Sequence, residues 1–150
     1  MYFLLVALLV IIFDQLTKYY VVSNFYLGES VPVIENIFHW TYILNPGAAF
    51  GMFEGSRWFF VVIAIGVLVG IWYMKDEINE GGWMMQYGAA LFGGGAIGNL
   101  IDRARSGLVI DFFDFRIWPV FNVADIAICV GVAMILWEVL QTEFLTNEKS

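Results

Sequence analysis

The sequence has little charge and few side chains that bind metals. Charged residues make up 14% of its 150 residues, whereas a soluble domain usually has about 25%, so the chain lacks the polar surface that water requires. A single cysteine, Cys129, excludes an intrachain disulfide and a multi-cysteine metal site. A single histidine, His39, argues against a histidine metal centre. A net charge of −7 argues against nucleic-acid binding.

Long apolar segments fill most of the remaining sequence. Hydrophobic residues make up 61% of the chain, and four segments approach the roughly 20 apolar residues that span a bilayer. They cover residues 2–22, 58–74, 83–101 and 120–140. The first has no basic start and no small-residue cleavage pattern, so we interpret it as a retained helix rather than a signal peptide. The pattern predicts an all-α membrane protein with four transmembrane helices in a single domain, residues 1–150.

The connections between these segments differ in character. Residues 75–82 are short and polar and are interpreted as a plain turn, and residues 143–150 as a solvated tail. Residues 23–57 are rich in β-forming side chains, which Pro32 and the Asn-Pro-Gly stretch at 45–47 interrupt. This long connection predicts a small β element at the membrane surface, between the first two helices.

Polar side chains gather at one end of the predicted bundle. Because four helices cross the membrane alternately, the first and third connections lie on the same side, which we call face A. Charged groups in or near a bilayer are costly and commonly functional, so face A is the predicted site. The polar residues on this side are Asp14, Lys18, Asn45, Asn99, Asp102, Arg103, Asp111, Asn122 and Asp125.

Helical spacing predicts which of these groups meet. Asp14 and Lys18 are four residues apart, so they lie on one face of a helix and can pair. Asn99, Asp102 and Arg103 also share one helix face. An ion pair of this kind lowers the cost of burying the charges, and we expect the Asp14–Lys18 pair to have a structural role.

Small residues predict where the helices approach closely. Ala90, Gly94 and Gly98 recur every four residues in the third segment, and Gly66 and Gly70 repeat the pattern in the second. Small side chains at this spacing let two helix backbones come together in a membrane. We therefore interpret the glycine-rich third segment as a packing surface rather than a phosphate-binding loop.

Two carboxylates at face A indicate acid–base chemistry. Facing carboxylates cannot both ionise easily and share one proton, so one accepts a proton from water while the other donates to a carbonyl. Asp111 and Asp125 are the candidate pair. Each residue also has a structural explanation: Asp111 would be an exposed loop carboxylate and Asp125 a helix-start residue. Asn45 would be a turn residue, and Asp102 and Arg103 an interfacial ion pair.

Other classes of function stay open on these residues alone. A small proton-coupled transporter also needs buried acidic and basic groups, although no polar stripe crosses the predicted bilayer. A membrane scaffold would give paired aspartates no role. A cysteine nucleophile is a weaker alternative, because Cys129 would have to meet His39 from deeper in the last helix. Proton flux into liposomes that depends on Asp111 would favour the transporter.

Five sequence blocks resemble the bacterial lipoprotein signal peptidases, the signal peptidase II family. The blocks are DQLTK at 14–18, NPGAAFG at 45–51, GGAIGNLIDR at 94–103, VIDF at 109–112 and FNVAD at 121–125. They occur in the family's order, with apolar segments between them, and they extend over essentially the whole chain.

The resemblance implies a membrane aspartic endopeptidase that cuts lipidated prolipoproteins just before the cysteine that carries diacylglycerol. Its catalytic pair would be Asp111 and Asp125, with no metal or other cofactor. The connection that holds Gly47 and Gly51 would act as a lid, and cyclic peptides such as globomycin would bind between the two aspartates. The positions implied to shape the site or contact substrate are Asp14, Lys18, Asn45, Gly47, Asn99, Asp102, Arg103, Asn122 and Ala124.

The resemblance also implies a location and a topology. The chain would lie in the bacterial cytoplasmic (inner) membrane, with both termini cytoplasmic and face A extracytoplasmic. Basic residues usually mark the cytoplasmic side, and the arginines Arg57, Arg103, Arg105 and Arg116 would place face A inside by that rule. We follow the family topology, because arginines at face A can serve the site or neighbouring anionic lipid.

Overall fold

The computed structural model describes residues 2–47 and 55–147. It is mostly helical, with a small sheet at one end. The predicted helical segments are confirmed as helices, with bounds shifted by a few residues. The elements in chain order are α1 (Tyr2–Asn24), β1 (Ser30–Ile34), β2 (Phe38–Asn45), α2 (Arg57–Tyr73), α3 (Lys75–Glu80), α4 (Trp83–Arg105), β3 (Val109–Asp114) and α5 (Val123–Asn147).

Two polar connections contain more helix than predicted. The turn expected at residues 75–82 instead forms α3, whose first turn carries Asp76 and Glu77. Acidic side chains stabilise the positive N-terminal end of a helix. The solvated tail expected at residues 143–150 is helical over most of its length, because α5 continues to Asn147, and its Glu143 and Phe144 are exposed. No glycine or proline interrupts the end of the sequence, so nothing there ends the helix earlier.

The three strands form one antiparallel sheet in the order β1, β2, β3. β1 and β2 are the predicted β element between the first two helices, whereas β3 comes from the connection between α4 and α5, where no strand was predicted. Asn45 of β2 pairs with Val109 of β3, and Ile43 pairs with Asp111. The sheet therefore joins the two face-A connections and places Asn45 beside Asp111.

The bundle buries a set of polar side chains, and its outer surface is apolar. Of the six largest fully buried side chains, four are polar, namely Lys18, Asn122, Asp14 and Asp111. Large apolar side chains instead point outward, such as Leu4 of α1, which is 72% exposed. Soluble proteins bury apolar side chains and expose polar ones, so this outer surface is suited to lipid.

The helix α4 approaches its neighbours most closely at glycine positions. A Cβ at Gly94 would lie 2.9 Å from the carbonyl oxygen of Ala7 in α1, and a Cβ at Gly98 would lie 2.6 Å from a carboxylate oxygen of α1. The close approach predicted for Gly94 and Gly98 is therefore confirmed. The same prediction for Gly66 and Gly70 of α2 is wrong, since a Cβ at either position would have no neighbour within 4 Å in the part of the chain that the structure describes.

The helices differ in how well they fit a bilayer. Within the described residues, two stretches have the length and composition of a membrane span, Phe3–Asn24 in α1 and Val123–Phe144 in α5. α2 is apolar but has only 17 residues. α4 has 23 residues, which is long enough to cross, but glycines and a polar C-terminal end make it less apolar. Two of the four predicted spans are thus supported by length and composition.

Candidate active site

Asp111 and Asp125 line one cavity of about 330 Å³. Asp111 lies in β3 and is 1% exposed, whereas Asp125 lies in the first turn of α5 and is half-buried. Asn122, directly before α5, joins them: its Nδ2 donates to Asp111 Oδ1 at 2.6 Å, and its backbone N–H donates to Asp125 Oδ2 at 3.1 Å. The expected pair is thus brought together. The alternative of Asp111 as an exposed loop carboxylate is wrong, because the residue lies in a buried strand.

Asn122 and Asp125 also cap the start of α5. Asn122 Oδ1 accepts the Asp125 N–H at 3.0 Å, while Asp125 Oδ2 accepts the Asn122 N–H. This reciprocal arrangement satisfies two backbone donors that the first turn of a helix leaves without partners. The helix-start explanation of Asp125 is therefore confirmed, and the same bonds fix the position of its carboxylate at the cavity.

Asparagine amides aim their donors at the two carboxylates. A side-chain amide has one acceptor end and one donor end, so a partner that only donates decides which end points where. The Gly47 N–H donates to Asn45 Oδ1 at 2.9 Å, which leaves Asn45 Nδ2 to donate to Asp111 Oδ2 at 2.8 Å. The Asp125 N–H orients Asn122 in the same way. Asn45 thus keeps its predicted turn role and also holds Asp111.

Lys18 orients a third amide, that of Asn99. An ammonium group can only donate, and Lys18 Nζ lies 3.0 Å from Asn99 Oδ1. Asn99 Nδ2 therefore points away from Lys18 and donates to Asp125 Oδ1 at 2.7 Å. Lys18 thus acts on Asp125 through one intervening side chain.

Lys18 is the centre of a closed group of charges beside the cavity, which we call the Lys18 cluster (Lys18, Asp14 and Asp102). Its ammonium lies 2.9 Å from Asp14 Oδ2 and 2.8 Å from Asp102 Oδ2, and these side chains are at most 4% exposed. With the bond to Asn99, each of its three donors has an acceptor. The predicted Asp14–Lys18 pair is confirmed. The predicted pair of Asp102 with Arg103 is wrong, because Asp102 pairs with Lys18 instead.

The remaining expected positions fix the walls of the site. Asp14 Oδ1 accepts the Ala124 N–H at 2.9 Å, which ties α1 to the start of α5. Arg103 Nη2 donates to the Gly47 carbonyl at 3.2 Å, and its guanidinium carbon lies 4.6 Å from the centre of the Phe60 ring. Arg103 therefore connects α4 both to the end of β2 and to α2.

One contributor was not predicted. Gln15 Nε2 donates to Asp102 Oδ1 at 3.0 Å and to Asp14 Oδ2 at 3.2 Å, so it completes the Lys18 cluster. Its sequence signal was available, since it lies inside the DQLTK block, but a half-buried glutamine has no distinctive spacing. The segment 48–51 of the NPGAAFG block lies outside the described residues, and so does the Gly51 part of the expected lid.

Burial raises the pKa of the Asp111 carboxyl group. Desolvation raises its pKa and the charge of Asp125 raises it further, while hydrogen bonds from Asn45 and Asn122 and the charge of Lys18 oppose the rise. The resulting pKa is about 7, compared with about 4 for an ordinary aspartate. Within residues 2–47 and 55–147, no cation lies within 4.0 Å of either carboxylate. This environment favours one proton on the pair near neutral pH.

Several known proteins are similar to this chain in sequence. The family described as Signal peptidase (SPase) II matches residues 6–141. A lipoprotein signal peptidase of Desulfitobacterium hafniense is 51% identical over 124 residues, which are 82% of this chain and 82% of that protein. Lipoprotein signal peptidases of Moorella thermoacetica and Bacillus subtilis are 48% and 42% identical; the first match covers 92% of both chains, and the second covers 93% of this chain and 94% of that protein.

Solved structures share the fold. A bacterial membrane enzyme determined by the in meso method at 2.3 Å resolution is 37% identical with a TM-score of 0.85, over 93% of this chain and 87% of that one. A second such enzyme, at 1.9 Å, is 38% identical with a TM-score of 0.80, over 92% of each chain. With a family match over most of its length and relatives above 40% identity, the chain belongs to the signal peptidase II family.

Proposed function

We propose that this chain is a membrane aspartic endopeptidase that removes the signal peptide from lipoprotein precursors. Its family and the lipoprotein signal peptidases among its relatives support the reaction and the substrate class. The observation that carries the catalytic assignment is the Asn122 bridge, which holds Asp111 and Asp125 in one cavity. Arg103 lines the same cavity and its charge acts on both carboxylates, but among the described residues no cation pairs with either one within 4.0 Å, so the pair is suited to share one proton.

Peptide hydrolysis follows from that shared proton. The ionised carboxylate accepts a proton from a water molecule, whose oxygen attacks the scissile carbonyl carbon, while the protonated carboxyl donates its proton to the carbonyl oxygen. A neutral diol forms. The carboxyl that took the water proton then donates it to the amide nitrogen, the carbon–nitrogen bond breaks, and a diol hydroxyl returns a proton to the other carboxylate. The pair ends in its starting protonation state, with one proton shared between two interacting carboxyl groups.

The placement in the membrane is part of the proposal. All four long helices, α1, α2, α4 and α5, cross the cytoplasmic (inner) membrane, with both termini in the cytoplasm and face A outside. The outward-facing apolar side chains support the crossings, and the orientation is the one that the family resemblance implies. The short α2 can cross because lipid adapts to a short span by local thinning.

The cavity supports a lipid-modified substrate. Its lining combines carboxylates and amides with apolar groups, including Trp118, Pro119 and Ile128. An extended peptide would place its scissile bond at the carboxylates, with its diacylglyceryl chains remaining in the bilayer and the cut falling just before the lipidated cysteine. Cyclic peptides such as globomycin would compete for the same cavity.

Cleavage of a purified precursor tests the proposal. We expect the chain in lipid to cleave the diacylglyceryl-modified precursor but not the unmodified one. Asp111→Asn and Asp125→Asn should each lower the rate at least about a thousandfold, as expected for the loss of an acid–base group. Asp76→Asn is the matched control, because that side chain lies on α3 and is 77% exposed. Activity retained in either cavity variant would overturn the catalytic assignment.

A proton-coupled transporter is the alternative function, and the comparisons give it no support. Liposomes that contain the chain should show no proton flux that depends on Asp111. Such a flux, together with a folded protein that cleaves no precursor, would exclude the peptidase and favour the transporter.

A further inference from the structure

The connection between β3 and α5 forms the apolar wall of the catalytic cavity. Its residues Trp118, Pro119 and Val120 line the cavity together with both aspartates. Trp118 is 60% exposed, and nothing in the hydrolysis described above uses it. A large aromatic side chain beside the reacting groups is therefore available to the substrate.

A buried carboxylate fixes the start of this connection. Asp114 is 5% exposed. Its Oδ1 accepts the Arg116 backbone N–H at 2.8 Å, and its Oδ2 accepts Arg116 Nη1 at 2.9 Å and Thr41 Oγ1 at 2.8 Å. Burial raises the pKa of Asp114, but the hydrogen bonds from Thr41 and Arg116 and the Arg116 charge outweigh it, so the net pKa is lowered and the carboxylate stays ionised.

The chain turns sharply at Arg116. Its φ of 64° is left-handed, a conformation that is unfavourable for a residue with a side chain. Two bonds from Arg116 to Asp114 hold the residue there. At the other end, Phe121 N–H donates to the Phe113 carbonyl at 3.1 Å, and Phe113 N–H donates back at 2.8 Å. Trp118 thus lies between two fixed ends.

An indole at a cavity wall, on a connection whose backbone is held at both ends, is well suited to binding. Aromatic side chains bury a large apolar area, and a ligand gains most when the protein group loses little freedom on binding. We propose that Trp118 is a specificity-determining residue, whose indole packs against the lipid-modified part of the substrate beside the scissile bond. This inference rests on the proposed function and adds a substrate contact to it.

Kinetics separate this role from a structural one. Loss of a contact made equally in the bound substrate and the transition state raises KM and leaves kcat unchanged. We expect Trp118→Ala to raise KM for a lipidated fluorogenic precursor about tenfold, with kcat within about twofold. Trp118→Phe should restore most of the affinity. Ile117→Ala is the matched control, because Ile117 is the neighbouring residue, is 93% exposed and does not line the cavity.

A binding measurement keeps the inference testable apart from the proposed reaction. In the Asp111→Asn background, which we expect to bind without cleaving, Trp118→Ala should weaken binding of the same precursor in lipid nanodiscs about tenfold. If the wild type fails to cleave, the proposed function is wrong, and this binding result still decides the role of Trp118. Unchanged KM and affinity in Trp118→Ala, or an equal change in Ile117→Ala, would overturn the inference.

Discussion

The Lys18 cluster and the pair Asp111 and Asp125 are built from the same kind of side chain but differ in their partners. In the Lys18 cluster, two carboxylates share one ammonium at 2.9 and 2.8 Å and are closed off from the cavity. In the cavity, the hydrogen-bond donors that the described residues give to the two carboxylates are amide and backbone N–H groups. An ion pair offsets charge, whereas a neutral donor only orients it.

The difference explains why one group is structural and the other can react. A buried charge is tolerated when it is paired, so the residues of the Lys18 cluster can stay charged without exchanging a proton. Among the described residues, the cavity pair has no ion-pair partner within 4.0 Å, and Arg103 acts on both carboxylates only from a greater distance. The pair therefore relies on a shared proton, which is available for transfer. Asn99 joins the two groups, because Lys18 orients it and it in turn donates to Asp125.

Removing the cation should have the largest effect on stability. Lys18→Met leaves Asp14 and Asp102 buried side by side without a positive partner, which we expect to destabilise the fold by about 3–5 kcal/mol. Thermal unfolding in one detergent, followed by tryptophan fluorescence, measures the change. Precursor cleavage should fall as well, since Asn99 loses the donor that orients it.

A combined variant shows whether unpaired charge is the cause. Lys18→Met with Asp14→Asn and Asp102→Asn removes all three charges, so most of the lost unfolding temperature should return. If the triple variant unfolds as early as Lys18→Met alone, lost packing rather than unpaired charge explains the effect.

In the cavity pair, a gain of negative charge as pH rises should lower the stability of the fold. The folded pKa of Asp111 is about 7 and exceeds the unfolded value of about 4, so the folded state binds more protons between these values. The free energy of unfolding should therefore fall as pH rises from about 4 to about 7, by at most about 4 kcal/mol from this group. Cleavage should also fall above about pH 7, as the shared proton is lost.

Comparison with Asp111→Asn isolates this contribution. Unfolding midpoints measured from pH 4 to pH 8 should fall less steeply in Asp111→Asn than in the wild type, because the variant lacks the Asp111 titration. Asp76→Asn, an exposed carboxylate, should keep the wild-type slope. Parallel curves for wild type and Asp111→Asn would mean that the pKa of Asp111 is not raised.

Local patterns in the sequence predicted much of this arrangement, and distant pairings account for most of what they missed. Hydrophobic length predicted the four helices, and four-residue spacing predicted the Asp14–Lys18 pair. β3 was missed because a six-residue strand becomes recognisable only beside β2. The orientation of Asn99 depends on Lys18, which lies 81 residues away. No local rule provides such contacts, so the sequence predicted which residues gather but not which amide end faces which carboxylate.

Substitution of a glycine in α4 should change the free energy of unfolding least, and it tests the packing around the Lys18 cluster most directly. A Cβ at Gly98 would lie 2.6 Å from Asp14 Oδ2 and 3.3 Å from the Ala124 side chain, so Gly98→Ala should destabilise by about 1–3 kcal/mol. Gly66→Ala is the control, since its Cβ would meet nothing within 4 Å. That substitution should stabilise α2 by up to about 1 kcal/mol, because alanine favours a helix. Equal unfolding midpoints for the two variants would show that close approach at Gly98 does not hold the cluster together.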